Sequence, residues 1–271
     1  MTNENLSHTN IQQRVIVSKH LGRNVIIDVY FPIGIADLTT LSLLLINDGQ
    51  NLNQMAFASI YNSLLSSNQV TPVVCVGIHA GDTRLEEYGI ISTQDFAGRG
   101  AKAKNYELFI IEELLPFLHL QWRIEKYQKI AFCGFSLGGL SALDMVWNHP
   151  DIFSIAGVFS GSLWWRSRDV DEDYRDDLHR IMHLQVRSGS YRPGLRFYFT
   201  TGGLDETSDR NHNGIIDSID DTLDLIGELK KLGYFEGYEI RYINYPEGRH
   251  DIESWGKALP GFMLWAFGIA G

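Results

Sequence analysis

The 271-residue chain contains only two cysteines, Cys75 and Cys133. Each falls inside an apolar, strand-like run, so both read as buried free thiols, and a disulfide framework is argued against. No apolar run is long enough to span a bilayer. The N-terminal stretch MTNENLSHTNIQQRV is polar and lacks the apolar core of a secretory signal, which favours the cytoplasm. Basic residues are in deficit: 23 Lys and Arg stand against 33 Asp and Glu, a net charge of −10. That balance argues against nucleic acid or an anionic membrane as the main partner. No repeat, linker or low-complexity stretch divides the chain, which is read as one domain over residues 1–271.

What is present is a glycine-flanked serine. Residues 130–133 read as a buried strand and residues after 137 as a helix, with Gly134-Phe135-Ser136-Leu137-Gly138 at the turn between them. This is the G-x-S-x-G pattern of a nucleophile elbow, followed at once by Gly139. A sharp strand-to-helix turn projects the serine hydroxyl into open space, and flanking glycines remove Cβ atoms that would collide with backbone. The following helix aims its N-terminal amides at any charge developing there. With 26 glycines in the chain, the pattern arises in roughly one random chain in six to ten. Its placement between strand and helix is what gives it weight.

Alternating runs at 13–19 and 24–31 predict an antiparallel pair. A continuous apolar run at 41–46 and strand-like segments at 73–78, 130–133, 155–159, 195–201 and 238–244 predict strands of a mostly parallel sheet. Helical periodicity covers 55–65, 103–118, 222–232 and 257–267. The fold expected is α/β: about eight strands, helices on both faces. The charged segment 166–192 is predicted as one helix, part of a small lid-like insertion around 164–193.

A serine nucleophile needs a base and an acid on later loops. Five histidines follow Ser136. His149 reads as a helix C-terminal cap, and His179 and His183 as a solvated helix face, one turn apart and without a third metal ligand. His212 lies within the loop described below. His250 remains, in a glycine-containing loop immediately after the last strand. The acid is expected after the 195–201 strand, where Asp205 and Glu206 compete; Asp205 is favoured, with Glu206 a close second. Two backbone amides are needed for an oxyanion hole. Leu137, after the nucleophile, supplies one, and Gln50, in the turn Asp48-Gly49-Gln50, supplies the other.

These residues resemble the “putative esterase” family of α/β-hydrolases, which includes siderophore, feruloyl and acetyl-xylan esterases, S-formylglutathione hydrolases and mycolyltransferases. The likeness rests on Asn47-Asp48-Gly49-Gln50-Asn51-Leu52, Arg84-x-x-Glu87-Tyr88, Glu112-Glu113-Leu114-x-Pro116-Phe117, GFSLGG, HPDIFSIAGVFSGSLWW and Gly248-Arg249-His250-Asp251-x-x-Ser254-Trp255. It implies an α/β-hydrolase fold and a serine carboxylic-ester hydrolase acting on a small-molecule ester without an organic cofactor. By that resemblance Ser136 is the nucleophile, His250 the base and Asp205 or Glu206 the acid. Trp164 and Trp165 correspond to a position near the substrate pocket, with packing under the lid as the competing reading. Arg84 and Tyr88 are substrate contacts or a structural pair with Glu87. Acyl transfer to an alcohol, and ligand binding without catalysis, are the rival activities.

A second motif is independent of the first. Residues 209–220 match a calcium loop of EF-hand type across all twelve positions. Asp209, Asn211, Asn213 and Asp220 would bind through side chains, Ile215 through its carbonyl and Asp217 through water, with Gly214 at the obligatory turn. Hard oxygen ligands suit Ca2+ in a structural role, because esterolysis by a serine requires no metal.

Overall fold

The computed structural model describes residues 8–269. One eight-stranded sheet runs through it: β1 (Thr9–Ser18), β2 (Arg23–Pro32), β3 (Ser42–Asn47), β4 (Val73–Ile78), β5 (Ile130–Phe135), β6 (Ile155–Phe159), β7 (Arg196–Leu204) and β8 (Ile240–Arg249). Their spatial order is β1-β2-β4-β3-β5-β6-β7-β8. β2 pairs antiparallel with both β1 and β4, and every pairing from β4 to β8 is parallel. The expected mostly parallel α/β architecture is therefore found.

Alternation along the central strands sends neighbouring residues to opposite faces and builds two cores. Leu43, Leu45, Val74, Val76, Phe132 and Val158 belong to one. Leu44, Ile46, Cys75, Ala131, Cys133 and Phe159 belong to the other, so both cysteines are buried free thiols. The first core is covered by α3 (Ala103–Leu108), α4 (Leu115–Trp122), α5 (Leu137–Asn148), α7 (Ile181–Arg187) and α8 (Asp217–Lys231). The second is covered by α1 (Phe57–Ser66) and α9 (Ile252–Phe267). Two further short helices are α2 (Arg84–Glu87) and α6 (Asp176–His179). Among the described residues no helix is long and apolar enough to cross a membrane.

Three expectations are corrected. Segment 166–192 is not one helix: α6 and α7 are separated by Arg180, whose extended backbone (φ −75°, ψ 107°) ends one and begins the other. The 103–118 helix continues to Trp122 and contains a π-helical stretch, Phe109–Leu114, which changes the face presented to the sheet. His183 is not solvated. It is 1% exposed, and its Nε2 lies 2.8 Å from the carbonyl of Asp221. Burial, aided by the adjacent Arg180 charge, pushes its pKa down to about 3, so the ring is neutral.

Candidate active site

β5 delivers Ser136 at the carboxyl end of the sheet, and α5 begins with the next residue. Ser136 adopts φ 54°, ψ −123°, a strained conformation for a residue with a side chain. Close packing enforces the turn. A Cβ on Gly134 would lie 2.4 Å from the carbonyl carbon of Gly138, and one on Gly138 would lie 2.8 Å from Asp48 Oδ2. Only glycine fits at either place.

His250 arrives from the loop closing β8, and its Nε2 is 2.9 Å from Ser136 Oγ. The ring stands edge-on to Trp255, centroids 5.1 Å apart, and Trp255 in turn stacks on Phe135. The Trp255 indole N–H donates to Ser160 Oγ at 3.2 Å. The imidazole is thus held by a residue of the first turns of α9. Although the His250 side chain is 40% exposed, desolvation on its packed side lowers its pKa below the ordinary 6.5; Asp205 opposes this and the Arg84 charge adds to it.

Asp205 is the carboxylate placed beside His250. Its Oδ1 lies 4.0 Å from Nδ1, and Oδ2 accepts the Gly202 N–H at 2.8 Å. The side chain is 1% exposed and interacts with the Ser160 hydroxyl, while Oδ1 makes no hydrogen bond of ordinary length. A buried acceptor facing a ring nitrogen at that separation forms a hydrogen bond after a shift of about 1 Å. Burial also raises the Asp205 pKa above its ordinary value. Glu206 points elsewhere: its Oε1 accepts the Ser218 N–H at 2.7 Å, in the first turn of α8.

The turn at 48–50 packs directly on the elbow. Asp48 is left-handed (φ 59°), and a Cβ on Gly49 would be 2.3 Å from the carbonyl carbon of Gly77 on β4. Asn47 Nδ2 donates to the Gly138 carbonyl at 2.8 Å, and Tyr106 O–H donates to Asn47 Oδ1 at 2.5 Å. Gln50 lies within the following 3-10 turn and Leu137 is the first residue of α5, where backbone N–H groups lack helical acceptors.

The expected substrate contacts divide. Arg84 grips Asp48 with a two-pronged pair, Nε to Oδ1 and Nη2 to Oδ2, both 2.7 Å. Tyr88 is 1% exposed, and its hydroxyl accepts the Asp48 N–H at 3.2 Å. Both residues therefore brace the 48–50 turn from behind. Glu87 pairs with Arg23 instead of Arg84. Trp165 is fully buried against Gly89 and Gly100, where a Cβ would come within 2.9 Å of the indole. Its place is in the core, because those two glycines form a slot that fits the ring. Only Trp164 is partly open. It borders a cleft of about 610 Å³ with Phe96, Arg99, Arg166, Glu206 and Asp217, and the Arg99 guanidinium stacks 4.6 Å above its ring.

Four further residues shape the site, Asn47, Ser160, Ser162 and Trp255, each within a motif that carries the family resemblance but without a role assigned from sequence. Ser162 Oγ is 3.3 Å from Ser136 Oγ, and Ser162 N–H donates to the Ser136 carbonyl. The available signal was the position of Ser160-Gly161-Ser162 at the carboxyl end of β6, the strand beside β5.

The loop 209–220 gathers its polar side chains into one turn. Asn211 and Asn213 amides both donate to Asp220 Oδ2, at 2.9 and 2.7 Å, and Asp209 accepts the N–H groups of Asn213 and Gly214. Asp217 is engaged by Arg210, through the backbone N–H at 2.9 Å and Nη1 at 3.1 Å. Among the described residues no three His, Cys, Asp or Glu side chains are grouped to hold a metal unaided. The Asn211 and Asn213 amide oxygens accept the backbone N–H groups of Asn213 and Ile215, at 3.0 and 2.7 Å.

A family model described as “Putative esterase” matches residues 18–266. The chain is 25% identical over 166 residues to the uncharacterized protein YbbA of Bacillus subtilis, covering 59% of this chain and 60% of that protein. Among solved structures it resembles an IroE-like serine hydrolase from Shewanella oneidensis, with 21% identity, TM-score 0.72, and 95% of this chain and 80% of that one covered. It also resembles the enterobactin esterase of Shigella flexneri, at 20% identity, TM-score 0.71, and 94% and 58% covered. The siderophore hydrolase EstB of Aspergillus nidulans aligns at 19% identity, TM-score 0.67, and 93% and 94% covered. The chain spans about three-fifths of the length of YbbA and of the enterobactin esterase.

Proposed function

The chain belongs to the “Putative esterase” family, and we propose that it is a serine carboxylic-ester hydrolase with Ser136, His250 and Asp205 as its triad. The observation that carries this reading is the 2.9 Å approach of His250 Nε2 to the hydroxyl of a serine in a strained, left-handed turn. Ser136 Oγ attacks the ester carbonyl while His250 Nε2 takes its proton. Asp205 accepts a hydrogen bond from His250 Nδ1–H and stabilises the imidazolium. The backbone N–H groups of Gln50 and Leu137 receive the negative charge on the carbonyl oxygen. The tetrahedral adduct collapses as His250 returns the proton to the leaving alcohol, and water releases the acyl group by the same steps reversed. The substrate is a small-molecule ester, its larger portion lying in the cleft beside Trp164.

The test is covalent labelling by a fluorophosphonate probe together with turnover of p-nitrophenyl acetate. Stoichiometric labelling at Ser136 with turnover supports the reading. A wild-type protein that neither labels nor turns over would falsify it and leave a ligand-binding protein.

A second expectation concerns pH. The base works only when neutral, and burial favours the neutral ring. Activity should therefore be lost only as pH falls through a depressed pKa. The acid limb of kcat/KM is expected to have its midpoint below the ordinary 6.5, with a plateau by about pH 8. A midpoint near 6.5 would show an unshifted imidazole, and one of about 7 or higher would show that the Asp205 charge outweighs desolvation.

We also propose that the loop 209–220 binds Ca2+ in a structural role. Asp209, Asn211, Asn213, Asp220 and the Ile215 carbonyl are the ligands, and Asp217 acts through water. Support comes from the convergence of those side chains, the two asparagine amides standing where a cation would face Asp220. At a hundred-fold excess over the dissociation constant, Ca2+ should add about 2.7 kcal/mol, or roughly 5–10 °C in melting temperature. Scanning calorimetry in Ca2+ against EGTA checks this, with Asp209→Ala expected to remove the difference. Identical melting in both buffers would exclude the ion.

A further inference from the structure

Arg210 occupies the second position of the 209–220 loop, which supplies no ligand to a calcium ion. Its side chain is only 11% exposed, borders the cleft beside Trp164 and meets three carboxylates. Nε lies 2.8 Å from Asp176 Oδ1 in α6, Nη1 lies 3.1 Å from Asp217, and Nη2 lies 2.5 Å from Asp221 Oδ1 in α8. Asp221 is almost fully buried and also receives Arg180 Nη1 at 2.6 Å. Arg180, 5% exposed, reaches Asp224 as well, at 2.6 Å.

These contacts form a continuous path between the two walls of the cleft. On one side, Arg210 belongs to the loop that follows Asp205 and Glu206, pinned to α8 by Asp217 N–H to the Ser208 carbonyl. On the other side, Asp176 and Arg180 belong to the insertion. Its base is tied to the Trp164–Ser167 segment by an Arg166–Arg180 bridge, by Ile181 N–H to the Trp165 carbonyl, and by Ser167 N–H to the His179 carbonyl. Trp164 and Arg166 are the side chains this segment puts into the cleft. Between α6 and the loop, one guanidinium spans the gap. Removing it would leave Asp176 with only Arg180 Nε for a cation, at 3.8 Å, and Asp221 with only Arg180; the insertion would stay joined to α8 through Arg180 but lose its direct tie to the loop before α8.

We propose that Arg210 is a positioning residue for the reaction, a clasp that fixes the Trp164–Arg166 wall of the cleft relative to the Asp205 loop. The proposal rests on the esterase reading for its kinetic consequence, but the clasp itself has a readout that needs no catalysis. The fork geometry matters, because lysine offers one point charge where arginine reaches three carboxylates.

The test uses the full chain with Arg210→Ala and Arg210→Lys. Three esters separate the cleft from the chemistry: p-nitrophenyl acetate, p-nitrophenyl benzoate with a bulky acyl group, and 2-naphthyl acetate with a bulky alcohol. Arg210→Ala is expected to raise KM for at least one bulky ester about tenfold relative to p-nitrophenyl acetate, with Arg210→Lys intermediate. Trypsin cleavage after Arg168 or Arg175 should quicken about tenfold in Arg210→Ala while far-ultraviolet circular dichroism is retained. If the alanine variant does not fold, Asp176→Asn removes only the insertion's arm of the clasp and should give the same KM divergence. Equal loss of kcat on all three esters, or wild-type KM ratios with wild-type trypsin resistance, would overturn the proposal. Failure of the wild type to react with a fluorophosphonate would overturn the esterase reading instead, and the trypsin comparison would still decide the clasp.

Discussion

Ser136→Ala is expected to lower kcat for p-nitrophenyl acetate by about 10⁴- to 10⁶-fold and to eliminate fluorophosphonate labelling. The substitution removes one oxygen, whose recorded contacts are His250 Nε2 at 2.9 Å and Ser162 Oγ at 3.3 Å. The backbone strain of the elbow stays, since alanine carries the same Cβ at φ 54°. Folding should therefore be near normal, and the loss is attributable to the nucleophile. Residual turnover of about 10³-fold over water would come from substrate binding and the Gln50 and Leu137 amides. Wild-type labelling stoichiometry in the alanine variant would place the reactive group elsewhere, with neighbouring Ser162 the first residue to examine.

The second large effect separates the adjacent carboxylates. Asp205→Asn is expected to reduce kcat by about 10³- to 10⁴-fold, whereas Glu206→Gln should change it by no more than about threefold. In the asparagine variant one oxygen still accepts the Gly202 N–H, so the amide NH₂ faces His250 Nδ1. That inverts the tautomer: Nδ1 must accept, Nε2 carries the proton, and the ring can no longer take one from Ser136. Glu206 binds the α8 N-terminus through Ser218 and touches no nitrogen of His250. Steady-state kinetics on both variants decides the matter, and a larger loss for Glu206→Gln would transfer the acid role to it.

The central strands were legible because 43–46, 73–78, 130–133 and 155–159 carry no polar or charged side chain, as a strand buried on both faces requires. The elbow was legible because G-x-S-x-G reflects a steric need local to a few residues; the Cβ built on Gly134 meets Gly138, four positions away. His250 followed from chain order, and the calcium-type loop from twelve consecutive residues. Each of these is a short-range or periodic constraint, and such constraints leave a mark in the primary sequence.

Four features depended on residues far apart in the chain. Choosing Asp205 over Glu206 required knowing that α8 begins at Asp217 and draws Glu206 to its first turn. Moving Arg84 from Glu87 to Asp48 required the packing of α2 against the turn after β3. Trp164 and Trp165 read alike, but only the second finds the slot left by Gly89 and Gly100. His183 looked solvated until Asp221, 38 positions later, closed over it. Steric and periodic rules act between neighbours in sequence and so determined the sheet, the elbow and the order of the proposed catalytic residues. Partner choice among charged and aromatic side chains is set by desolvation and distance in space, and the tertiary structure alone decided it.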